Sequence, residues 1–277
     1  MAKEFKSFYK KVGGNEGDKC KHNVRLDTYG CGREHDCKYC YAKSLLEFRG
    51  LWNPLNPSVA NIFKIRRKIS TLTNEVIRLG GMTDCFQPIE LKYKVTYRTI
   101  QALNERRIPY LIVTKSDIVA REEYLKLMDK DLAHIQVTIT CFDDDLYKKL
   151  DYEKASLPSK RIEAVEKLQA EGFDVQLRLS PFIPEFVDFD KLNAVKCDKM
   201  VVEFLRVNTW IKKWFDIDFS EYTVKQGNYS HLPLKKKLEY IEKIKGKRIT
   251  VCEDEDTAYE YWREHFNPNK EDCCDLR

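Results

Sequence analysis

Six runs rich in valine, isoleucine and leucine recur between residues 24 and 205, separated by short breaks and amphipathic stretches. This alternation restricts the chain to an α/β arrangement of parallel strands joined by helical crossovers. The runs are Val24–Tyr29, Glu75–Leu79, Tyr110–Thr114, Ile135–Thr140, Asp174–Leu179 and Met200–Leu205. Their apolar content suits strands covered on both faces. Helical patterns fall between them at Tyr97–Arg107, Arg121–Met128 and Ser159–Glu171. The last is the clearest: Pro158 and Ser159 open it, Ile162, Val165 and Leu168 share a face, and Gly172 stops it. The pattern by itself fits a partial (β/α)6 barrel and equally a doubly wound open sheet. A chain of 277 residues can bury one large core.

The densest concentration of chemically capable residues follows the first run. It reads Thr28-Tyr29-Gly30-Cys31, then five residues including His35, then Cys37-Lys38-Tyr39-Cys40-Tyr41-Ala42. Three thiolates on one loop can hold three corners of a [4Fe–4S] cluster. Such clusters normally take four cysteines, so one iron would stay open for another ligand. A zinc site using His35 as a fourth ligand is an alternative, although no matching second ligand pair follows within a few tens of residues. The ten cysteines are spread thinly over a long chain, which argues against a disulfide framework.

The Gly-Cys…Cys-x-Tyr-Cys-Tyr-Ala wording resembles the cluster loop of the radical S-adenosylmethionine (SAM) superfamily, in a longer-spaced variant. It is most similar to the spore photoproduct lyase-like branch, a group associated with DNA repair photolyases. Further segments follow that branch in order: Gly80-Gly81-Met82-Thr83-Asp84-Cys85-Phe86-Gln87-Pro88-Ile89-Glu90, Thr114-Lys115-Ser116, and Arg178-Leu179-Ser180-Pro181-Phe182-Ile183-Pro184. The resemblance covers roughly residues 22–210. It implies the partial (β/α)6 TIM-type barrel of the radical SAM core, with a C-terminal extension. The expected organisation is a basic arm at 1–21, the core at 22–209, and an extension at 210–277 closing one side of the barrel.

By this resemblance Cys31, Cys37 and Cys40 hold a [4Fe–4S] cluster, and SAM occupies the mouth of the barrel. Gly80-Gly81 correspond to the segment that receives SAM's amino group, and Lys115 to a position that contacts SAM. Tyr39, Thr83, Asp84, Thr138, Thr140 and Arg178 complete the expected cofactor shell. The motifs fall at strand C-termini, where barrels place their working groups. Asp84, buried in a barrel mouth, needs a partner that cofactor or substrate could supply. Arg178 interrupts an apolar strand and should face the mouth, since an unpaired buried charge is costly. Glu203 and Arg206 either join it there or form an internal pair that only stabilises the barrel. In the lyase proper, a cysteine just before the Thr/Ser-Asp segment returns hydrogen to the product radical; the aligned residue here is Gly81. Cys85 and Cys141 are the candidate replacements, with burial as small apolar residues the plainer reading of each.

The net charge is only +5. Basic density is local, at Lys64–Lys68, Lys235–Lys237 and Lys245–Arg248, reading either as solvated faces or as phosphate contacts. The acidic run Glu253–Asp256 reads as a solvated helix start, and the aromatic–cationic stretch Trp210–Phe215 as packing or base stacking. Cys252, Cys273 and Cys274 form a second group open to several roles: auxiliary cluster, metal ligands, reactive thiols or packing. No apolar run is long enough to span a bilayer and the N-terminus lacks a secretory h-region, so a reducing, cytoplasmic setting is expected. The resulting expectation is an enzyme that cleaves SAM reductively and abstracts hydrogen from a nucleobase or nucleotide in DNA or RNA. An electron donor such as flavodoxin or ferredoxin would serve it. The alternatives are modification of a peptide side chain and a non-catalytic zinc-stabilised nucleic-acid-binding module.

Overall fold

The computed structural model describes residues 7–9, 19–22, 24–30, 32, 34–53, 56–73, 75–150 and 154–276. Its strands are β1 (Phe8–Tyr9), β2 (Arg25–Leu26), β3 (Tyr29–Gly30), β4 (Ser58–Val59), β5 (Ile77–Leu79) and β6 (Tyr110–Thr114). They continue with β7 (Ala133–Thr138), β8 (Asp174–Phe182), β9 (Lys199–Phe204), β10 (Val224–Gln226), β11 (Tyr229–His231) and β12 (Arg248–Val251). One sheet has the order β1-β2-β5-β6-β7-β8-β9-β12. From β2 to β12 it is parallel, and β1 joins its edge antiparallel to β2. The sheet stays open, so the architecture is a partial barrel with a seventh parallel strand beyond the six expected. No helix among the described residues is long and apolar enough to cross a membrane.

The crossovers follow from local sequence. The helix Pro158–Ala170 starts on a proline, whose missing N–H costs nothing at a helix N-terminus. It ends at Gly172, whose φ of +81° suits glycine in the C′ position. Ala164, Val165 and Leu168 bury its inner face. Arg161 is buried there too, donating to the carbonyls of Ser156 (2.8 Å) and Thr138 (3.2 Å) and to the Tyr147 hydroxyl (2.7 Å). Its place in the helical period, three, four and seven residues before Ala164, Val165 and Leu168, puts it on the inner face, and only its charge reads as external.

The expectation of strands apolar on both faces needs correction, because the sheet has two unlike faces. Along β8, Val175, Leu177 and Leu179 are buried apolar residues, whereas the alternate positions carry Asp174, Gln176, Arg178 and Ser180. Period-two alternation puts the latter set on the concave side, where they form polar tiers with neighbouring strands. At the bottom, His134 Nδ1 lies 2.6 Å from Asp174 Oδ2 and Lys199 donates to Asp174 Oδ1 at 2.7 Å. Burial alone would lift the Asp174 carboxyl, but hydrogen bonds from His134 and Lys199 outweigh it and hold it below the usual carboxylate range. In the middle, Gln136 donates to Gln176 at 2.7 Å and accepts from Arg178 at 2.8 Å. At the top, Arg178 pairs with Glu203. Each buried polar group finds a partner in its own tier, which makes a polar lumen tolerable.

The C-terminal segment enters this lumen. Gln176 donates to the carbonyl of Cys274, Lys199 to that of Asp275 (3.3 Å), and Arg248 pairs with Asp275 at 2.8 Å. Three further expectations change. Phe8–Tyr9, expected in a loose arm, form the β1 edge strand, while most of that arm lies outside the described residues. The acidic run does start a helix, Asp256–His265, but it is not solvated throughout. Glu255 is buried and caps that helix by accepting from Thr257 and Ala258 N–H groups at 3.1 and 2.8 Å. Glu253 is also buried, paired with a fully buried Lys237 from what was read as a basic surface run. In the aromatic stretch, Phe215 is buried and stacks on Phe186 with centroids 5.6 Å apart, whereas Trp210 stays partly exposed.

Candidate active site

A cleft of about 1050 Å³ opens at the C-terminal ends of the parallel strands. Cys37, Tyr39 and Cys40 line one side of it. The cysteine loop curls through a turn in which Cys40 N donates to the Cys37 carbonyl at 3.1 Å. Cys40 is then the N-cap residue of the helix Tyr41–Phe48, whose positive end favours a thiolate or an anionic group held by it. Both thiols are buried and free of disulfides. Cys31 lies outside the described residues. His35, considered as a zinc ligand, is buried with its Nδ1 3.5 Å from Asp84 Oδ2.

The glycine turn after β5 lines the same cleft, and Gly80 is required by the fold itself. Gly80 has φ +90°, and a Cβ there would come within 2.8 Å of the Val113 carbonyl oxygen. A Cβ on Gly81 would meet the Arg25 side chain at 3.0 Å. The turn is held from below by Asp27, whose carboxylate accepts from the N–H groups of Gly81 (2.7 Å), Met82 (3.0 Å) and Thr83 (3.3 Å). Thr83 adds a hydroxyl hydrogen bond to the Tyr29 carbonyl.

Asp84 was expected to find its partner in a ligand, and the protein supplies the partners instead. Its carboxylate accepts from Phe86 N (2.8 Å), Thr114 Oγ1 (2.8 Å) and Lys115 N (2.7 Å), and faces His35. It thereby ties the glycine turn to the end of β6 and to the cysteine loop. The Lys115 side chain donates to the Tyr39 hydroxyl and lies 4.3 Å from the ring centroid. Thr140 reaches the same hydroxyl at 3.4 Å, from a fully buried position behind the cleft wall. Thr138 lines the cleft directly.

The opposite wall is ionic. Arg178 pairs with Glu203, which also accepts from Ser180 Oγ at 2.8 Å and lies 3.4 Å from Arg206. Arg206 pairs in turn with Asp254 at 2.7 Å. Burial by itself would raise the Glu203 carboxyl, but Arg178 and Arg206 dominate and hold it at about 2. Burial likewise disfavours the Arg178 cation, and Glu203 overcomes that. Arg178, Glu203 and Arg206 pair internally and all line the cleft.

The structure does not bring Cys85 or Cys141 to the cleft. Cys85 is fully buried in the core, where burial and the nearby carboxylates of Asp84, Glu90 and Asp27 push its thiol well above the ordinary range. Cys141 is buried with its sulfur donating to the Asp143 carbonyl at 3.3 Å, and burial pushes its thiol up. Side chains ending a turn or a strand can face either layer, and these two face the packed one.

Sequence reasoning missed several supports. Asp27 sits immediately after β2, so its strand-end position could have marked it. Glu34 joins the cysteine loop to the second motif, since its N–H donates to Gln87 at 2.7 Å and its carboxylate accepts from Ile89 N at 2.7 Å. Glu90 is fully buried and accepts from the hydroxyls of Tyr29 and Tyr124 and from the N–H groups of Thr96 and Tyr97, both at 2.9 Å. Arg78 lines the cleft without having stood out in the sequence, and Tyr229, one of the extension's aromatics weighed for packing or base stacking, lines it too.

Comparison with known proteins agrees with this arrangement. The Radical SAM superfamily model matches residues 27–190. An uncharacterized protein of Methanocaldococcus jannaschii is 28% identical over 166 residues, 57% of this chain and 60% of its own length. One of Mycobacterium tuberculosis is 23% identical over 168 residues, 57% of this chain and 49% of its own. The matches thus span about half of these relatives. Among solved structures, spore photoproduct lyase complexed with dinucleoside spore photoproduct superposes with a TM-score of 0.61 at 13% identity, covering 83% of this chain and 77% of that one. A variant of that lyase with bound AdoMet gives 0.60 at 13%, covering 84% and 78%. Streptococcus suis SuiB bound to precursor peptide SuiA gives 0.56 at 12%, covering 85% and 50%. At these identities the structures establish a shared fold. The family match extends over more than half of the chain and takes in the cysteine loop, the glycine turn, Lys115 and Arg178: the chain belongs to the radical SAM superfamily.

Proposed function

We propose that this enzyme abstracts hydrogen from a nucleobase or nucleotide, free or within DNA or RNA. The family implies SAM and an iron–sulfur cluster, and the donor set suits them: two buried thiols of the loop, neither in a disulfide, line the cleft together with the glycine turn. Cys31, Cys37 and Cys40 would hold a [4Fe–4S] cluster, leaving one iron for SAM. When bound, cluster and SAM together supply reductive cleavage of the sulfonium and a 5′-deoxyadenosyl radical able to take an unactivated hydrogen.

The remaining roles belong to the chain. With the Gly81, Met82 and Thr83 N–H groups engaged by Asp27 and that of Gly80 by the Leu26 carbonyl, the turn has carbonyl oxygens left to offer a ligand, the acceptors an ammonium group needs. Lys115 supplies a cation for a carboxylate and holds Tyr39 over the cysteine loop. The Asp84 bonds keep these two elements in register. Arg178 and Arg206 present donors whose charge Glu203 and Asp254 already balance, so the wall recognises polar edges without a large net field.

The observation that carries the substrate class is at the mouth. Tyr229, Arg206 and Asn208 line it together, with the Arg206 guanidinium 6.0 Å from the Tyr229 ring centroid. An aromatic face beside a guanidinium and an amide suits stacking and edge recognition of a base. The fold shared with a lyase that holds a dinucleoside lesion supports the same class. No thiol other than Cys37 and Cys40 lines the cleft among the described residues, so hydrogen return by a cleft cysteine is not part of the proposal.

The test is anaerobic incubation with SAM, a reductant such as reduced flavodoxin, and deuterated DNA, RNA or peptide. Mass spectrometry should find deuterium in 5′-deoxyadenosine with a nucleic-acid substrate. Transfer from the peptide alone would refute the substrate class.

A further inference from the structure

The two ends of the chain meet behind the ionic wall. Cys252 directly follows β12, and its N–H continues the ladder to the Val202 carbonyl at 2.8 Å. With Cys20 from the N-terminal segment and Cys273 from the C-terminal segment, it lines a cavity of about 640 Å³. The wall of Arg78, Arg178, Glu203 and Arg206 is shared between that cavity and the active-site cleft. Cys274, the next residue, is buried and joins a different set of side chains. One ring nitrogen of His22, one carboxylate oxygen of Asp272 and the Cys274 sulfur all lie within 4.8 Å of one another. His22, Asp272 and Cys274 are 6, 4 and 5% exposed, and Cys274 is not in a disulfide.

We propose that His22, Asp272 and Cys274 bind one zinc ion, a second metal centre separate from the cluster loop. The donor set selects the metal. Imidazole nitrogen and thiolate sulfur beside a single carboxylate suit a borderline-soft ion, whereas magnesium and calcium take oxygen shells. The spacing agrees, since zinc bonds of about 2.0–2.3 Å in a tetrahedron put ligand atoms about 3.3–3.8 Å apart. Asp272 Oδ2 lies 3.0 Å from His22 Nε2, so that pair need open only slightly to admit the ion. A histidine–aspartate hydrogen bond accounts for two of these groups, and a buried cysteine by itself needs no ligand. A metal accounts for the convergence of three different donor atoms in one buried place.

The ligands are also held from behind, as metal ligands are. Asp272 Oδ1 accepts from Cys274 N at 2.9 Å, which leaves Oδ2 directed at His22. Asp275 N donates to the Asp272 carbonyl at 3.1 Å, closing the turn that carries both C-terminal ligands. Gln176 of β8 donates to the Cys274 carbonyl and anchors that turn to the sheet. Three protein ligands leave the fourth position of the ion to water. The ion thereby clamps the N-terminal segment to the C-terminal segment across the lumen.

The experiment is metal analysis of the full chain, produced with iron and zinc in the medium and purified anaerobically. Wild type and Cys37→Ala/Cys40→Ala should each hold about one zinc per chain. His22→Ala and Cys274→Ser should each lose it while keeping the iron of the cluster loop. Zinc-edge X-ray absorption on wild type, which needs no variant to fold, should show one sulfur at about 2.3 Å beside nitrogen and oxygen at about 2.0–2.2 Å. The proposal fails if wild type contains no zinc, if the zinc shell is sulfur throughout or lacks sulfur, or if His22→Ala keeps its full zinc.

Discussion

The two cysteine groups stand on either side of one ionic wall, yet they are built in opposite ways. The front group comes from one loop, in which the spacing of Cys37 and Cys40 is set by a turn and by the start of the helix Tyr41–Phe48. The rear group, which lines one cavity, draws on Cys20, on Cys252 just after β12, and on Cys273 near the C-terminus. A local motif can be recognised in a chain read left to right because its geometry depends on a few torsions. A dispersed one exists only once the sheet has brought distant segments together. The front group also faces a cleft shaped for a ligand, whereas the rear group faces buried arginines and the C-terminal segment.

The largest effect should come from breaking the front group. Cys37→Ala or Cys40→Ala should remove cluster iron and abolish 5′-deoxyadenosine formation, with the fold retained by circular dichroism. Persistent SAM cleavage in either variant would remove the distinction between the two sites.

Next is the framework that holds the front loop in place. Glu90→Ala would leave two tyrosine hydroxyls and two helix N–H groups without their buried acceptor. A loss of about 3–5 kcal/mol in urea unfolding is expected, on the scale for breaking a buried charged network. A change below about 1 kcal/mol would mean that water replaces the carboxylate easily.

The shared wall gives a pH prediction. Glu203 is depressed from 4.5 to about 2. A depressed carboxyl contributes stability that is fully present above about 4.5 and is lost as pH falls toward 2. That contribution is about 3 kcal/mol at neutral pH, the free energy of holding the carboxylate charged over that span of pH. Arg178→Met should flatten the fall in stability between about pH 5 and 2; an unchanged slope would assign that fall to other carboxyls.

A smaller change tests whether Lys115 serves SAM or only Tyr39. Lys115→Met should weaken SAM binding by about 10- to 100-fold, the range of one charge-assisted hydrogen bond, with little change in melting temperature. A drop in melting temperature with SAM affinity intact would make Lys115 a structural support. At the bottom of the scale, Arg66→Ala breaks an exposed pair with Glu105 and should change stability by less than about 0.5 kcal/mol.

The family resemblance, which places its motifs at strand ends, marked Tyr39, Gly80, Gly81, Thr83, Asp84, Lys115, Thr138 and Arg178, which all line the cleft, and Thr140, which lies behind its wall. The places where reading failed have a common cause. Cys85 and Cys141 lie next to marked residues, yet the direction of a side chain at a turn depends on torsions that adjacency does not reveal. Asp84 looked in need of a ligand because its partners, Thr114, Lys115 and His35, lie on other segments. Lys237 and Glu253 looked like surface charge because each is the other's reason for being buried.

The chain by itself determined the parallel α/β class, the order of strands and crossovers, and the grouping of Cys31, Cys37 and Cys40 within one short stretch, since these depend on local periodicity and short-range spacing. Tertiary structure alone decided that β8 carries a polar face into the lumen, that Asp27 and Asp84 hold the glycine turn, and that residues from the two ends of the chain meet behind Arg178. Those outcomes depend on register between strands, where a shift of one residue exchanges every inward side chain for an outward one.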